Sequence, residues 1–142
     1  MASTMQLDIV SAEEEIFSGD VEFVVARATE GELGIMPRHA PLLAMLQPGE
    51  VRARRPGGEE QFFFVSGGMI EVQPKAVTIL ADTAMRAKDL DEAAAQEAKR
   101  RAEEAIRNRS GEMDYAQVQA ELAAAAAQIR AIQSLRKHRG NK

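Results

Sequence analysis

The 142-residue chain has no cysteine and no tryptophan. Disulfides, thiolate metal sites and cysteine nucleophiles are therefore excluded. Two histidines, His39 and His138, are too few for a histidine-only metal site. Nowhere do 18 uncharged apolar residues run together, so a membrane-spanning helix is not expected. The opening MASTMQLDIVSAEEEIF lacks a basic segment followed by an apolar one, and no export signal is expected either. Without such a signal, Asn108-Arg109-Ser110 is a chance match to the glycosylation sequon. Aromatic residues make up only 4% of the chain, but hydrophobic residues make up 45%, which is enough to bury a core and argues against extensive disorder. The length allows one ordinary domain or a small domain with an appendage, and excludes a multidomain enzyme.

Proline and glycine are unevenly placed: all five prolines and eight of the ten glycines precede residue 84. Charge divides at the same point. Residues 1–84 hold 6 basic and 13 acidic side chains, a charge of −7, whereas residues 85–142 hold 12 and 9, a charge of +3. This shift marks a boundary, giving a first unit over 1–84 and a second over 85–142.

In the first unit, short apolar runs at 5–10, 21–28, 42–46, 50–54, 61–65, 69–73 and 76–81 read as strands. Val51-Arg52-Ala53-Arg54 alternates small apolar residues with arginines that should face water. Ser18-Gly19-Asp20, Gln47-Pro48-Gly49, Pro56-Gly57-Gly58 and Ser66-Gly67-Gly68 supply turn chemistry between the runs. Seven or more strands with no long helix between them point to an antiparallel sandwich or barrel, and a sandwich is expected. Ser66-Gly67-Gly68 is not followed by Lys-Ser or Lys-Thr, and a strand comes next, so it reads as a glycine bulge or tight hairpin rather than a phosphate cradle. Gly31-Glu32-Leu33-Gly34 lacks the third glycine and the helix of a dinucleotide site. His39, between Pro37 and Pro41, reads as a hydrogen-bonded loop anchor more readily than as a base.

From Lys88 the sequence is rich in alanine, glutamate and arginine. The spacing of Asp89 and Glu92 suggests a capping box, with a first helix over about 91–109 stopped by Ser110-Gly111. Asp114 and Gln117 repeat that spacing for a second helix reaching about Lys137, completing a helical hairpin. Tyr115, Val118, Leu122, Ala125, Ile129 and Ile132 form a heptad seam, answered by Ala94, Ala98, Ala102, Ala105 and Ile106. An alanine methyl contributes only about 0.8 kcal/mol of burial, so the interface is thin. A hairpin that opens and one that stays docked both fit this pattern. The tail carries Arg130, Arg136, Lys137, Arg139 and Lys142 with no acid, which suits the helix macrodipole or an acidic partner. Without aromatics the tail offers no stacking platform for single-stranded nucleic acid, and a protein partner fits better.

Five segments, in order and spacing, resemble the epsilon-subunit family of bacterial F-type ATP synthase. They are Leu7-Asp8-Ile9-Val10-Ser11-Ala12-Glu13; Glu30-Gly31-Glu32-Leu33-Gly34-Ile35 continuing to His39-Ala40-Pro41-Leu42-Leu43; Val65-Ser66-Gly67-Gly68; Val77-Thr78-Ile79-Leu80-Ala81-Asp82-Thr83-Ala84; and Asp114-Tyr115-Ala116-Gln117. The resemblance covers almost the whole chain. It implies a sandwich of about ten strands followed by a two-helix hairpin, in a non-catalytic rotor subunit that couples proton-driven c-ring rotation to ATP synthesis. Such a subunit lies peripherally on the cytoplasmic face of the bacterial membrane.

By the same resemblance, the sandwich binds the gamma subunit, and Glu32 and His39 match the segment that meets the c-ring loops. The hairpin extends towards the catalytic hexamer and inhibits ATP hydrolysis, with Arg136, Lys137 and Arg139 facing an acidic loop of the beta subunit. Many members bind ATP through Ile/Leu-Asp-x-x-Arg-Ala and two arginines on the second helix. Here Ala94 replaces the motif arginine and Ala126 one of the others, leaving Asp91 and Arg130 as a remnant. Weak or no ATP binding is therefore expected, with no resident cofactor and no metal. The alternative is a freestanding sandwich module that uses its basic helices on nucleic acid. A small enzyme finds no nucleophile, metal cluster or phosphate loop in the sequence.

Overall fold

Alternation builds the sandwich. In the computed structural model, which describes residues 3–108 and 115–140 except for the side chains of 115 and 138–140, Met5, Leu7 and Ile9 point inward from β1 (Met5–Ser11) while Gln6 and Asp8 point out. The next strands are β2 (Glu15–Val21), β3 (Phe23–Ala28), β4 (Gly31–Ile35), β5 (Leu42–Leu46) and β6 (Gly49–Arg54). β7 (Glu60–Val65), β8 (Gly68–Val72), β9 (Ala76–Ala81) and β10 (Ala84–Arg86) complete a ten-stranded sheet rolled into a sandwich. The expected fold of about ten strands followed by two helices is what forms. In β6, Val51 and Ala53 are buried and the arginines lie outward, with Arg54 over the Phe23 ring and 3.6 Å from Glu22.

The spatial order is β10-β7-β6-β3-β5-β8-β9-β1-β2, with β4 paired to β3. Among the described residues every strand pairing is antiparallel except one: β1 runs parallel to β9, with Leu7 beside Val77 and Ile9 beside Ile79. The first and ninth strands meet through a long chain excursion rather than a hairpin, so nothing in the local sequence marks that pairing. The two ends of the sheet, β10 and β2, are tied by a side chain. Arg86 donates from Nη2 to the Ile16 carbonyl at 2.8 Å and lies over the Phe17 and Phe63 rings, themselves edge to face at 5.5 Å.

Ser66-Gly67-Gly68 is a corner between β7 and β8, which pair with other strands and not with each other, so of its two readings the tight hairpin does not hold. Gly67 and Gly68 have φ of +130° and +134°, and a Cβ on Gly68 would sit 2.1 Å from the Leu80 carbonyl oxygen. The Ser66 hydroxyl accepts from the Thr83 amide at 2.8 Å, pinning β10 to the same corner.

A short 3-10 turn, Ala87–Asp89, leads to α1 (Glu92–Arg107). Its N-cap is Asp91, not Asp89: the Asp91 carboxylate accepts from the Ala94 amide at 3.1 Å. The third helical position is Ala94, so no reciprocal capping box forms, and Asp89 is taken up by the turn. α2 (Tyr115–Gly140) returns antiparallel. The expected stop at Ser110-Gly111, the cap at Asp114, and the side chains of Tyr115, His138 and Arg139 fall outside the described residues.

α2 buries Ala125, Ile129 and Ile132 as the seam predicts, but α1 answers with Ala95 and Ala102 rather than Ala94 and Ala98, which are exposed. The heptad face of α1 is thus shifted by one residue along its first turns. α2 also has a second apolar side. Ala127 and Ala131, with the half-buried Ala124 and Leu135, lie on Phe62, Phe64 and Ala87. Phe63 and Val65 point into the sandwich core while Phe62 and Phe64 point out of it, so β7 is apolar on both faces because a helix covers the outer one.

Candidate functional site

The outer face of β6 and β7 beneath α2 carries charge as well as apolar area. Glu50 stands beside Phe64, and Arg52 beside Phe62, in the antiparallel register. The Ser134 hydroxyl of α2 donates to the Glu50 carboxylate. A groove of about 300 Å³ runs alongside, with Arg27, Glu32 and Arg52 on the strands and Arg130 and Lys137 on the helix. Burial raises the Glu50 carboxyl above its ordinary value of 4.5, and the nearby Glu32 adds to the rise. The Ser134 hydrogen bond and the cations Arg52 and Arg130 oppose it.

The residues singled out from sequence fall in different places. Glu32 is paired with Arg27 in the β3–β4 ladder and lines the groove. His39 lies in the loop before β5, where Nδ1 approaches the Ala40 carbonyl oxygen at 2.7 Å and the backbone amide donates to Met36. The loop-anchor reading fits this geometry. Asp91 is committed to the α1 cap, whereas Arg130 lines the groove with Glu50. Arg136 is ion-paired with Glu92 in the first turn of α1, where a carboxylate also meets the positive end of the helix dipole. Lys137 is exposed at the groove edge, and the side chain of Arg139 lies outside the described residues. On the outer side of α1, Arg100 bridges Glu97 and Glu104 at 2.7 and 2.8 Å, a solvated ladder typical of a helix face.

The sandwich leaves a second feature uncovered. Met45, Met69, Leu80 and Val10 stand side by side across β5, β8, β9 and β1 on the outer face. Met45 is 54% exposed and Leu80 55%, and Leu43 next to them is 62% exposed. α2 does not reach this row, since it packs on β6, β7 and the 3-10 turn. Among the described residues, no helix is long and apolar enough to cross a membrane. Among the same residues, no group of three or more histidine, aspartate or glutamate side chains gathers to hold a metal ion.

Sequence reasoning missed Glu50, Ser134 and Arg86. The available signal was the run Phe62-Phe63-Phe64, since a strand with apolar residues on both faces needs a cover on each.

Two family models match in tandem: the ATP synthase delta/epsilon chain β-sandwich domain over residues 4–87, and the corresponding long α-helix domain over residues 88–133. The chain belongs to the epsilon-chain family of ATP synthase. It is 64% identical to the ATP synthase epsilon chain of Nitrosococcus oceani, over 99% of this chain and 100% of that one. It is 63% identical to ATP synthase epsilon chain 1 of Methylococcus capsulatus, over 98% and 99%. A cryo-EM structure of the Euglena gracilis mitochondrial ATP synthase contains a chain of the same fold, with a TM-score of 0.81 at 22% identity, covering 91% of this chain and 81% of that one. Epsilon chains are non-catalytic central-stalk subunits of a rotary ATP synthase, so this chain is a rotor subunit and not an enzyme. A freestanding nucleic-acid module finds no support among these relatives.

Proposed function

We propose that the sandwich joins the rotor by seating the row Met45, Met69 and Leu80 against the gamma subunit, while Glu32 and the His39 loop meet the polar loops of the c-ring. The observation that carries this reading is the exposed apolar row on the half-sheet that the hairpin leaves open. Contiguous exposed apolar area on a folded domain marks a partner surface, and three large side chains across neighbouring strands match the flat face of a helical stalk. The hairpin is the regulatory part. When α2 leaves β6 and β7, it reaches the catalytic hexamer and obstructs ATP hydrolysis, and Arg136, Lys137 and Arg139 meet an acidic loop of the beta subunit. In the docked form Arg136 is held by Glu92, so that contact requires the hairpin to open. No nucleotide is needed for these roles: Asp91 caps α1, Arg130 lies apart from it in the groove beside Glu50, and Ala94 and Ala126 offer no guanidinium. The protein then works at the cytoplasmic face of the membrane as a peripheral component of the synthase.

The test is co-purification of the variant Met45→Glu with Leu80→Glu alongside the other synthase subunits. Both positions face outward, so the sandwich should fold, as read by circular dichroism, while assembly with gamma is lost. Normal assembly of the double variant would refute the assigned surface. Truncation after Ala87 should leave assembly intact and raise ATP hydrolysis by the complex. Unchanged hydrolysis would remove the hairpin from regulation.

A further inference from the structure

We propose that Glu50 is a proton-operated latch between the sandwich and the hairpin: its carboxyl sits under α2 against Ser134, and docking of α2 strengthens its hold on a proton that undocking gives back to solvent. The inference rests on the reading that the hairpin opens, and supplies a condition under which it does.

Three observations place the latch. Glu50 is half-buried beside Phe64, at the edge of the apolar patch that receives Ala127 and Ala131. Its partner Ser134 is on the moving element, 84 residues along the chain, so the bond exists only when α2 is docked. Finally, burial outweighs the surrounding charges. Glu32 on β4 opposes ionisation, while Arg52 on β6 and Arg130 on α2 favour it, with Arg27 on β3 and Lys137 on α2 also lining the groove, and the balance is a carboxyl held above its ordinary value by burial. β7 contributes only phenyl rings at this point.

The sign follows from linkage. Docking raises the affinity of Glu50 for its proton, so the docking free energy that Glu50 contributes is fully present below about pH 4.5, the undocked value. It declines as pH rises through the docked value, because above it the ionised carboxylate must be buried each time α2 closes. Within that window the docking constant falls by up to about tenfold per pH unit. Acidification therefore holds the hairpin down and alkalinisation frees it. A serine partner allows both states: its hydroxyl donates to the carboxylate, and accepts from the protonated acid.

The absence of cysteine permits a clean measurement on the full-length chain. A donor and an acceptor dye on Lys75→Cys and Ala123→Cys, both exposed positions, report the separation of α2 from the sandwich in a urea titration. The undocking midpoint is expected to fall as pH rises from about 4 to about 8, and Glu50→Gln should make it independent of pH. A wild-type midpoint that does not move, or a Glu50→Gln variant that keeps the wild-type slope, overturns the latch. Ser134→Ala provides a second reading that leaves the titrating group in place. Loss of the bond that favours the anion should extend the fall to higher pH, whereas an unshifted profile overturns the geometry. These outcomes are separable from the obstruction reading. A pH-dependent midpoint combined with hydrolysis that ignores truncation keeps the latch and removes the obstruction, and a flat midpoint with truncation-sensitive hydrolysis does the reverse.

Discussion

Replacing Phe64 by alanine should detach the helical hairpin while leaving the sandwich folded. Phe64 is 1% exposed, yet its ring lies outside the sandwich core and fills the space beneath α2. Truncating a buried phenylalanine costs about 3–5 kcal/mol. On the helix side the patch is held by Ala127 and Ala131, helped by half-buried Ala124 and Leu135, and each alanine methyl contributes only about 0.8 kcal/mol. One ring therefore outweighs the two fully buried alanine methyls facing it, about 3–5 kcal/mol against about 1.6 kcal/mol. Because the inner residues Phe63 and Val65 keep their packing, the loss should fall on docking. Hydrogen exchange resolves this by position. Amides of residues 124–135 should lose protection by roughly two to four decades, while those of β1, β8 and β9 keep theirs. Equal loss in both regions would show that sandwich and hairpin unfold as one unit and would refute the modular argument. No loss in either would show that the alanine contacts suffice.

Gly68→Ala should destabilise the sandwich by at least about 3 kcal/mol, read by thermal unfolding, since a Cβ would meet the Leu80 carbonyl at 2.1 Å on a backbone with φ of +134°. Asp91→Ala should cost about 1 kcal/mol by removing the α1 cap, with exchange confined to the first turn of α1. Calorimetric titration with Mg-ATP should show no micromolar isotherm, because two missing arginine contacts at about 1.5–3 kcal/mol each remove two to four decades of affinity. Ala94→Arg with Ala126→Arg should restore measurable binding if the helices can present both forks to one triphosphate.

Much of the sandwich could be read from sequence because glycine and proline punctuate it and β1, β3, β6 and β9 alternate cleanly. β2, β4 and β10 are not among the runs read as strands: Glu15, Ser18 and Asp20 in β2, and Gly31 and Gly34 in β4, carry little apolar signal, and β10 is only three residues long. The α1 face was displaced for a different reason. Alanines at 93, 94, 95 and 98 satisfy more than one helical stripe, so periodicity cannot choose among them, and tertiary contact selects Ala95 and Ala102. The same degeneracy concealed the side of α2 that meets Phe62 and Phe64. Glu50 and Ser134 have no local signature at all, because their relation exists only after a strand and a helix 84 residues apart have been brought together. Family resemblance implied a c-ring segment and remnant nucleotide residues, but could not show that Asp91 is spent on a cap or that Arg136 is tied to Glu92.

The parallel pairing of β1 with β9 has a consequence for how the chain is made. Residues 5–11 are synthesised first, but their partners at 76–81 follow about 70 residues later, some 4–14 s at about 5–20 residues per second. The β1–β2 hairpin can close in microseconds and satisfy one side of β1. Its other side, with Leu7 and Ile9 turned towards a core that does not yet exist, must wait for the ninth strand. A nascent chain stalled before residue 81 therefore displays an unpaired β-edge with apolar side chains, the kind of surface on which chains associate with one another. Completion of β9 ends that vulnerable interval.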